Sequence, residues 1–167
     1  MSAPIIVTAL FGAEDAAWLD GLRRRHFPPE RNHLAAHLTM FHHLAPELAS
    51  ELKQRLSALT RGVAPPQAWL AGIQNLGGGT AFRVESLALE AIRDELAQAF
   101  ASMLIPQDRA GWRPHVTIQN KVLSADAKAL QTALAADFRR RPLAIAGLAS
   151  WWYRGGPWEP LSRHMFA

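Results

Sequence analysis

Hydrophobic positions along the chain follow two periods in alternation. Residues 5–11 (Ile5, Ile6, Val7, Thr8, Ala9, Leu10, Phe11) form the near-continuous apolar run of a buried strand. Residues 14–25 come next, acidic at the start and basic at the end, an order that suits a helix dipole. The same β-then-α order returns in residues 35–44, a second strand. Pro46 then takes the first helical position ahead of Leu48, Leu52, Leu56 and Leu59, an apolar stripe at helical spacing. Residues 67–76 and 80–85 pattern as paired strands across Gly77, Gly78 and Gly79, and residues 87–103 place Leu89, Ile92, Leu96 and Phe100 on one helical face. Residues 113–121 are strand-like, and residues 124–138 read as a helix with Ser124 as N-cap. Residues 143–166 divide into two strands around Gly155, Gly156 and Pro157. No linker or low-complexity segment interrupts the series, so the pattern predicts an α+β protein in which residues 1–167 form one domain.

The segment after His37 repeats after His115, at an offset of 78 residues. His37, Leu38, Thr39 and Met40 match His115, Val116, Thr117 and Ile118 one for one; further on, Leu44 falls on Val122, Pro46 on Ser124, Leu52 on Leu130 and Leu56 on Leu134. The match spans strand, turn and helix. Apolar matches at helical spacing arise by chance, but a shared His-apolar-Thr-apolar tetrad followed by a helix at equal distance points to a duplicated half. Two lobes related by a pseudo-twofold axis are expected.

On a strand, residues i and i+2 face the same way, so His37 lies beside Thr39 and His115 beside Thr117, while Leu38, Met40, Val116 and Ile118 face a core. Across a twofold, the two polar pairs face one another. Such a site suits a phosphodiester. An imidazole titrates near neutrality, so one ring takes a proton from the attacking oxygen while the other gives one to the leaving oxygen. A threonine hydroxyl donates to a non-bridging phosphate oxygen, and its β-branched side chain loses little entropy when fixed. His37, His115, Thr39 and Thr117 are therefore the candidate catalytic group.

These residues carry a family resemblance. The two His-x-Thr motifs resemble the signature of the 2H phosphoesterases, close to the 2′-5′ RNA ligase-like branch. The likeness extends to the spacing of the motifs, Pro114 before the second one, the strand and helix over residues 80–103 and a carboxy-terminal strand bearing Tyr153. It implies a bilobal α+β fold with antiparallel sheets lining a central cleft and helices outside. It also implies hydrolysis of 2′,3′-cyclic phosphates, or ligation and cleavage of 2′-5′ linkages, on RNA ends or small nucleotides without a cofactor. The chain departs from the commoner pattern just after the first motif, where Phe41, His42, His43 and Leu44 replace an apolar run leading to a glycine.

Composition narrows the chemistry further. The absence of cysteine excludes disulfides, thiolate nucleophiles and iron–sulfur clusters. Eighteen Lys and Arg against fourteen Asp and Glu leave a net charge of +4, which favours an anionic partner, although the same balance fits an ordinary solvated surface. No apolar run reaches the length of a membrane span, and the first residues lack a basic leader, so a cytoplasmic protein, read as a monomer, is expected.

Among the remaining residues, Phe41 and His43 share the strand parity of His37. Phe41 is a candidate for stacking on a nucleobase or for the core, and His43 for touching substrate. Arg113 or Arg83 is a candidate for neutralising phosphate. Trp151, Trp152, Tyr153 and Trp158 form either a base platform or ordinary strand packing. Gly77 to Gly79 lack a following Lys-Ser/Thr and read as a hairpin turn. Two rival readings remain: a metallohydrolase using His37, His42, His43 or His115, and an RNA-binding module that has lost turnover.

Overall fold

In chain order the strands are β1 (Ile5–Phe11), β2 (Leu38–Leu44), β3 (Trp69–Asn75), β4 (Thr80–Glu85), β5 (His115–Gln119), β6 (Arg141–Pro142), β7 (Ile145–Trp152) and β8 (Glu159–Met165). The helices are α1 (Ala13–His26), α2 (Ala49–Thr60), α3 (Leu87–Ala99), the single turn α4 (Pro106–Arg109) and α5 (Ser124–Asp137). They come from a computed structural model that describes residues 3–167. The strands form two four-stranded antiparallel sheets, one in the order β2-β1-β7-β8 and the other β5-β4-β3-β6. Each His-x-Thr motif thus lies on the edge strand of its own sheet, and the two edges adjoin.

Apolar alternation explains which faces are covered. Leu38, Met40, Val116 and Ile118 are fully buried, as their parity requires, whereas Thr39 and Thr117 are half-exposed on the other face. The helices cross between the lobes. α1 follows β1 of the first sheet but packs on β5 of the second, where Trp18 stacks on Phe82 with centroids 5.6 Å apart. α3 follows β4 of the second sheet, yet its Arg93 lies over Phe41 of β2 at 4.3 Å. α2 covers β7 and β8, and α5 covers β3 and β4. The α+β bilobal arrangement expected from the repeat is the one observed, with the two halves interlocked.

Local signals differ from expectation at a few points. Ser124 is already the first residue of α5, and Leu123 precedes it as N-cap without a side-chain hydrogen bond. A side-chain cap occurs instead at α3, where Ser86 Oγ accepts from the Leu89 N–H at 3.1 Å. Pro46 opens a 3-10 turn over Pro46–Leu48 that leads into α2. The Gly77–Gly79 segment is a hairpin turn: Gly77 has a φ of 86°, and a side chain at Gly79 would collide with the Gln119 carbonyl. Among the described residues no helix is long and apolar enough to cross a membrane.

Candidate active site

His37 stands one residue before β2, and His115 is the first residue of β5. The backbone fixes both rings in the same way. His37 Nδ1 lies 2.8 Å from the Ala35 carbonyl oxygen, and His115 Nδ1 lies 2.9 Å from that of Arg113. A carbonyl can only accept, so Nδ1 carries the proton in each ring and Nε2 is left to exchange one. The repeated contact to the residue two positions back is an echo, at atomic scale, of the repeat in the sequence.

His37, Thr39, His115 and Thr117 line one cavity of about 390 Å³ together with His42, Gln107, Arg113 and Trp158. The strands presenting them are secured from behind. Unpaired carbonyls on an edge strand need partners, and buried or half-buried side chains from other segments supply them. Trp112 Nε1 donates to the Thr39 carbonyl at 3.0 Å and Arg93 Nε to that of Met40 at 3.0 Å. Arg23 Nη1 donates to the Thr117 carbonyl at 2.9 Å. The approach to His37 is tied to α1 by the Ala36 N–H, which donates to Asp20 Oδ1 at 2.6 Å.

Electrostatics act on His37. Burial pushes the His37 ring below its ordinary value, with the neighbouring Arg23, His115 and His42 adding to the effect, while its hydrogen bond to the Ala35 carbonyl opposes it. The Trp158 ring meets His37 edge-on at 4.8 Å and covers it on one side. His37 is therefore held neutral, with a bare Nε2, over a wider range of pH than a solvated imidazole. Asp108, fully buried beside the cavity, is pushed up by desolvation, but hydrogen bonds from the His42 ring and from the His42 and His43 amides outweigh this and hold it below the ordinary carboxylate value.

Phe41 takes the core, one of its two expected places, rather than the cleft: it is fully buried under Arg93 and cannot stack on a base. The expectation for His43 is overturned. His43 is exposed but lines no part of the cavity, which His42 lines instead. Irregular pairing accounts for Phe41 and His42. Thr39 is opposite Thr8 but Phe41 opposite Val7, so β2 has one extra residue there and the parity reverses, turning Phe41 inward; a second extra residue before Leu44, opposite Ile5, restores it. Arg113 lines the cavity as anticipated, whereas Arg83, opposite His115 on β4, lines a neighbouring cavity of about 1140 Å³ that Arg113 also borders. Tyr153 lies one residue beyond β7 in a third cavity, which shares His37, His42, Thr117 and Trp158 with the first. Asp108, Arg93, Arg23, Gln107 and Trp112 were not singled out by sequence; their segments carry no motif and reach the site only through tertiary packing. Among the described residues no three His, Asp or Glu side chains converge at a spacing that would hold a metal ion.

Comparison with known proteins bears on the fold and the family. TT0787 of Thermus thermophilus superposes with a TM-score of 0.60 at 17% identity, covering 98% of this chain and 97% of that one. E. coli LigT complexed with 3′-AMP gives 0.57 at 19% identity, over 100% and 99% of the two chains. A further crystal structure of a phosphoesterase gives 0.57 at 18% identity, over 99% of both. These likenesses show the fold. No curated protein matches the sequence. The sequence profile of the 2′-5′ RNA ligase superfamily matches residues 11–157, which includes both motifs and every strand from β2 to β7. With its two His-x-Thr edges facing one cleft, the chain belongs to the 2′-5′ RNA ligase superfamily, within the 2H phosphoesterases.

Proposed function

We propose that this chain is a metal- and cofactor-independent phosphodiesterase or ligase that acts on 2′,3′-cyclic phosphates or 2′-5′ linkages, at RNA ends or in small nucleotides. The observation that carries the reading is the matched pair of imidazoles, each fixed through Nδ1–H and each with a threonine beside it in a common cavity. In hydrolysis, one Nε2 takes a proton from water as the water oxygen bonds to phosphorus. The bond from phosphorus to the 2′ or 3′ oxygen breaks, and the other ring's Nε2–H protonates that oxygen. With a 5′-hydroxyl in place of water, and with the 3′ oxygen as the one that leaves, the same steps yield a 2′-5′ linkage. The Thr39 and Thr117 hydroxyls donate to the non-bridging oxygens, and Arg113 contributes positive charge at the rim. LigT of E. coli has been crystallised with 3′-AMP and with phosphate, ligands of the same chemical class.

The test is a panel of 2′,3′-cyclic nucleotides, cyclic-phosphate RNA ends, 2′-5′ dinucleotides and ADP-ribose cyclic phosphate, assayed before and after exhaustive chelation. Turnover of at least one substrate class should survive chelation and disappear in the double variant His37→Ala/His115→Ala. Full activity in a folded, ribonuclease-free double variant overturns the assignment, and loss on chelation overturns the metal-free mechanism. Binding of these nucleotides without any turnover would favour the non-catalytic module.

A further inference from the structure

A third imidazole enters the cavity, and neither the motif repeat nor strand parity accounts for it. His42 lines the cavity with His37 and His115, and it is close enough to His37 to disfavour that ring's cation. Its side chain is 43% exposed, while its partner Asp108 is 0% exposed. His42 Nδ1 lies 3.0 Å from Asp108 Oδ1, and the same carboxylate accepts the His42 N–H at 2.9 and 3.1 Å and the His43 N–H at 3.0 Å. The backbone of Asp108 is fixed in turn by Arg93 Nη2, which donates to its carbonyl at 2.7 Å.

The backbone contacts alone satisfy the outer edge of β2, and a neutral Asn or Ser acceptor could serve there. A fully buried carboxylate is costly unless its charge is matched. Arg93 lies behind this carboxylate; on the cavity side its side-chain partner is the His42 ring, whose Nδ1 faces Asp108 and whose Nε2 is left to carry a proton toward the cavity. The other charged or titratable groups facing His42 are His37, His115, Arg113 and Arg93 from the cavity walls, and Arg23, Arg31, His33 and Tyr153 from the adjoining cavity that His42 also lines. His37 and His115 must pass a proton between substrate oxygens, so neither is a permanent donor to a non-bridging oxygen. A phosphodiester carries one negative charge, a phosphomonoester carries two, and the five-coordinate species between them gathers the second. A fixed donor backed by a buried anion is suited to that second charge.

We propose that His42, with Asp108 as its positioning residue, is a third phosphate-binding imidazole that donates Nε2–H to a non-bridging oxygen and fits the cleft to a doubly charged phosphate, such as a terminal 2′- or 3′-phosphomonoester. The inference rests on the reading of the cleft as a phosphate site. It extends that reading from the substrate diester to the product that follows it.

Binding measured on the full chain, without turnover, tests the inference separately from the activity. Inorganic phosphate just above its second ionisation supplies a dianion, and dimethyl phosphate supplies a monoanion of similar size. By NMR titration, His42→Gln should weaken inorganic phosphate about ten- to a hundredfold, the range for one hydrogen bond to a charged group. Dimethyl phosphate should weaken less than about threefold on the same scale. Asp108→Asn should reduce the same selectivity, adding nothing when His42 is already Gln, and should shift the His42 ring nitrogen resonances as Nδ1–H loses its anionic acceptor. If Asp108→Asn does not fold, His42→Gln decides alone, because the backbone contacts of Asp108 remain in that variant. Equal weakening of both anions, or weakening of neither, overturns the proposal. A chain that binds phosphate selectively through His42 but turns over no nucleotide supports it while sinking the assigned reaction; full turnover with His42→Gln indifferent to both anions does the reverse.

Discussion

His37 is the residue whose environment most constrains the chemistry. Burial first, then the nearby Arg23, His115 and His42, push its ring below the ordinary value, against the pull of the Ala35 carbonyl. In an NMR titration of the free chain, the His37 Cε1–H resonance should therefore move at a pH below about 6.5, the ordinary imidazole value; a midpoint at or above that contradicts the burial argument. The sign for stability follows. As pH falls through the ordinary value the unfolded chain binds this proton before the folded one does, so His37 withdraws stability on the acid side and contributes none above it. The proposed acid/base mechanism requires one neutral and one protonated ring, so the rate should be bell-shaped in pH, and each single His→Ala variant should lose one limb. Turnover of a 2′,3′-cyclic phosphate should fall by roughly 10² to 10⁴ in His37→Ala or His115→Ala, the range for a positioned acid or base. Thr39→Ala or Thr117→Ala should cost less, about 1 to 3 kcal/mol of transition-state stabilisation, because each removes one hydrogen bond and leaves proton transfer intact. Threonine variants as damaging as the histidine variants would argue against that division of labour.

At the scale of elements, β2 shows both how much the sequence discloses and where it stops. Alternation located the strand and aimed Thr39 correctly, because from Leu38 to Met40 the parity is undisturbed. It failed at Phe41 and His42, because the irregular pairing with β1 falls between Thr39 and Phe41 and pattern reasoning assumes a regular ladder. The repeat located β5 and α5 for the same reason it located β2 and α2: a copied motif keeps its spacing. The repeat as traced forward from His37 and His115 gave no sign of α4 or of Asp108, since this turn lies upstream of the motif and reaches β2 only by capping the His42 and His43 amides. Arg93 makes the dependence measurable. It is buried, and its side chain satisfies the Met40 and Asp108 carbonyls. Arg93→Met should leave both unpaired and lower stability by about 2 to 5 kcal/mol, read as a drop in urea midpoint. Since Met40 adjoins Thr39, the variant should also lose turnover at temperatures where it remains folded. An unchanged midpoint would show that water replaces the guanidinium and that the edge needs no dedicated partner.

At the scale of the whole molecule, the two lobes hold each other in place. The first sheet combines β1 and β2 with β7 and β8 from the far end of the chain, so no cut in the middle separates it intact. The helix that leaves β1 packs on the second sheet, and the helix that leaves β4 reaches back to β2 through Arg93. Arg23 of α1 secures the Thr117 carbonyl in the opposite lobe, as Arg93 of α3 secures that of Met40. A site whose two halves must stay within the span of one phosphate gains from this crossing, because neither motif strand can loosen without freeing a buried arginine from its acceptor. The lobes should accordingly unfold together. Trp18 and Trp69 report on the second sheet, and Trp151, Trp152 and Trp158 on the first and its adjoining loop, so intrinsic fluorescence samples both. Urea unfolding followed by tryptophan fluorescence, far-ultraviolet circular dichroism and loss of phosphate binding should give coincident transitions with one midpoint. A fluorescence transition that precedes the loss of secondary structure would mean that one lobe opens alone, and that the crossed helices bind the lobes less tightly than the buried arginines require.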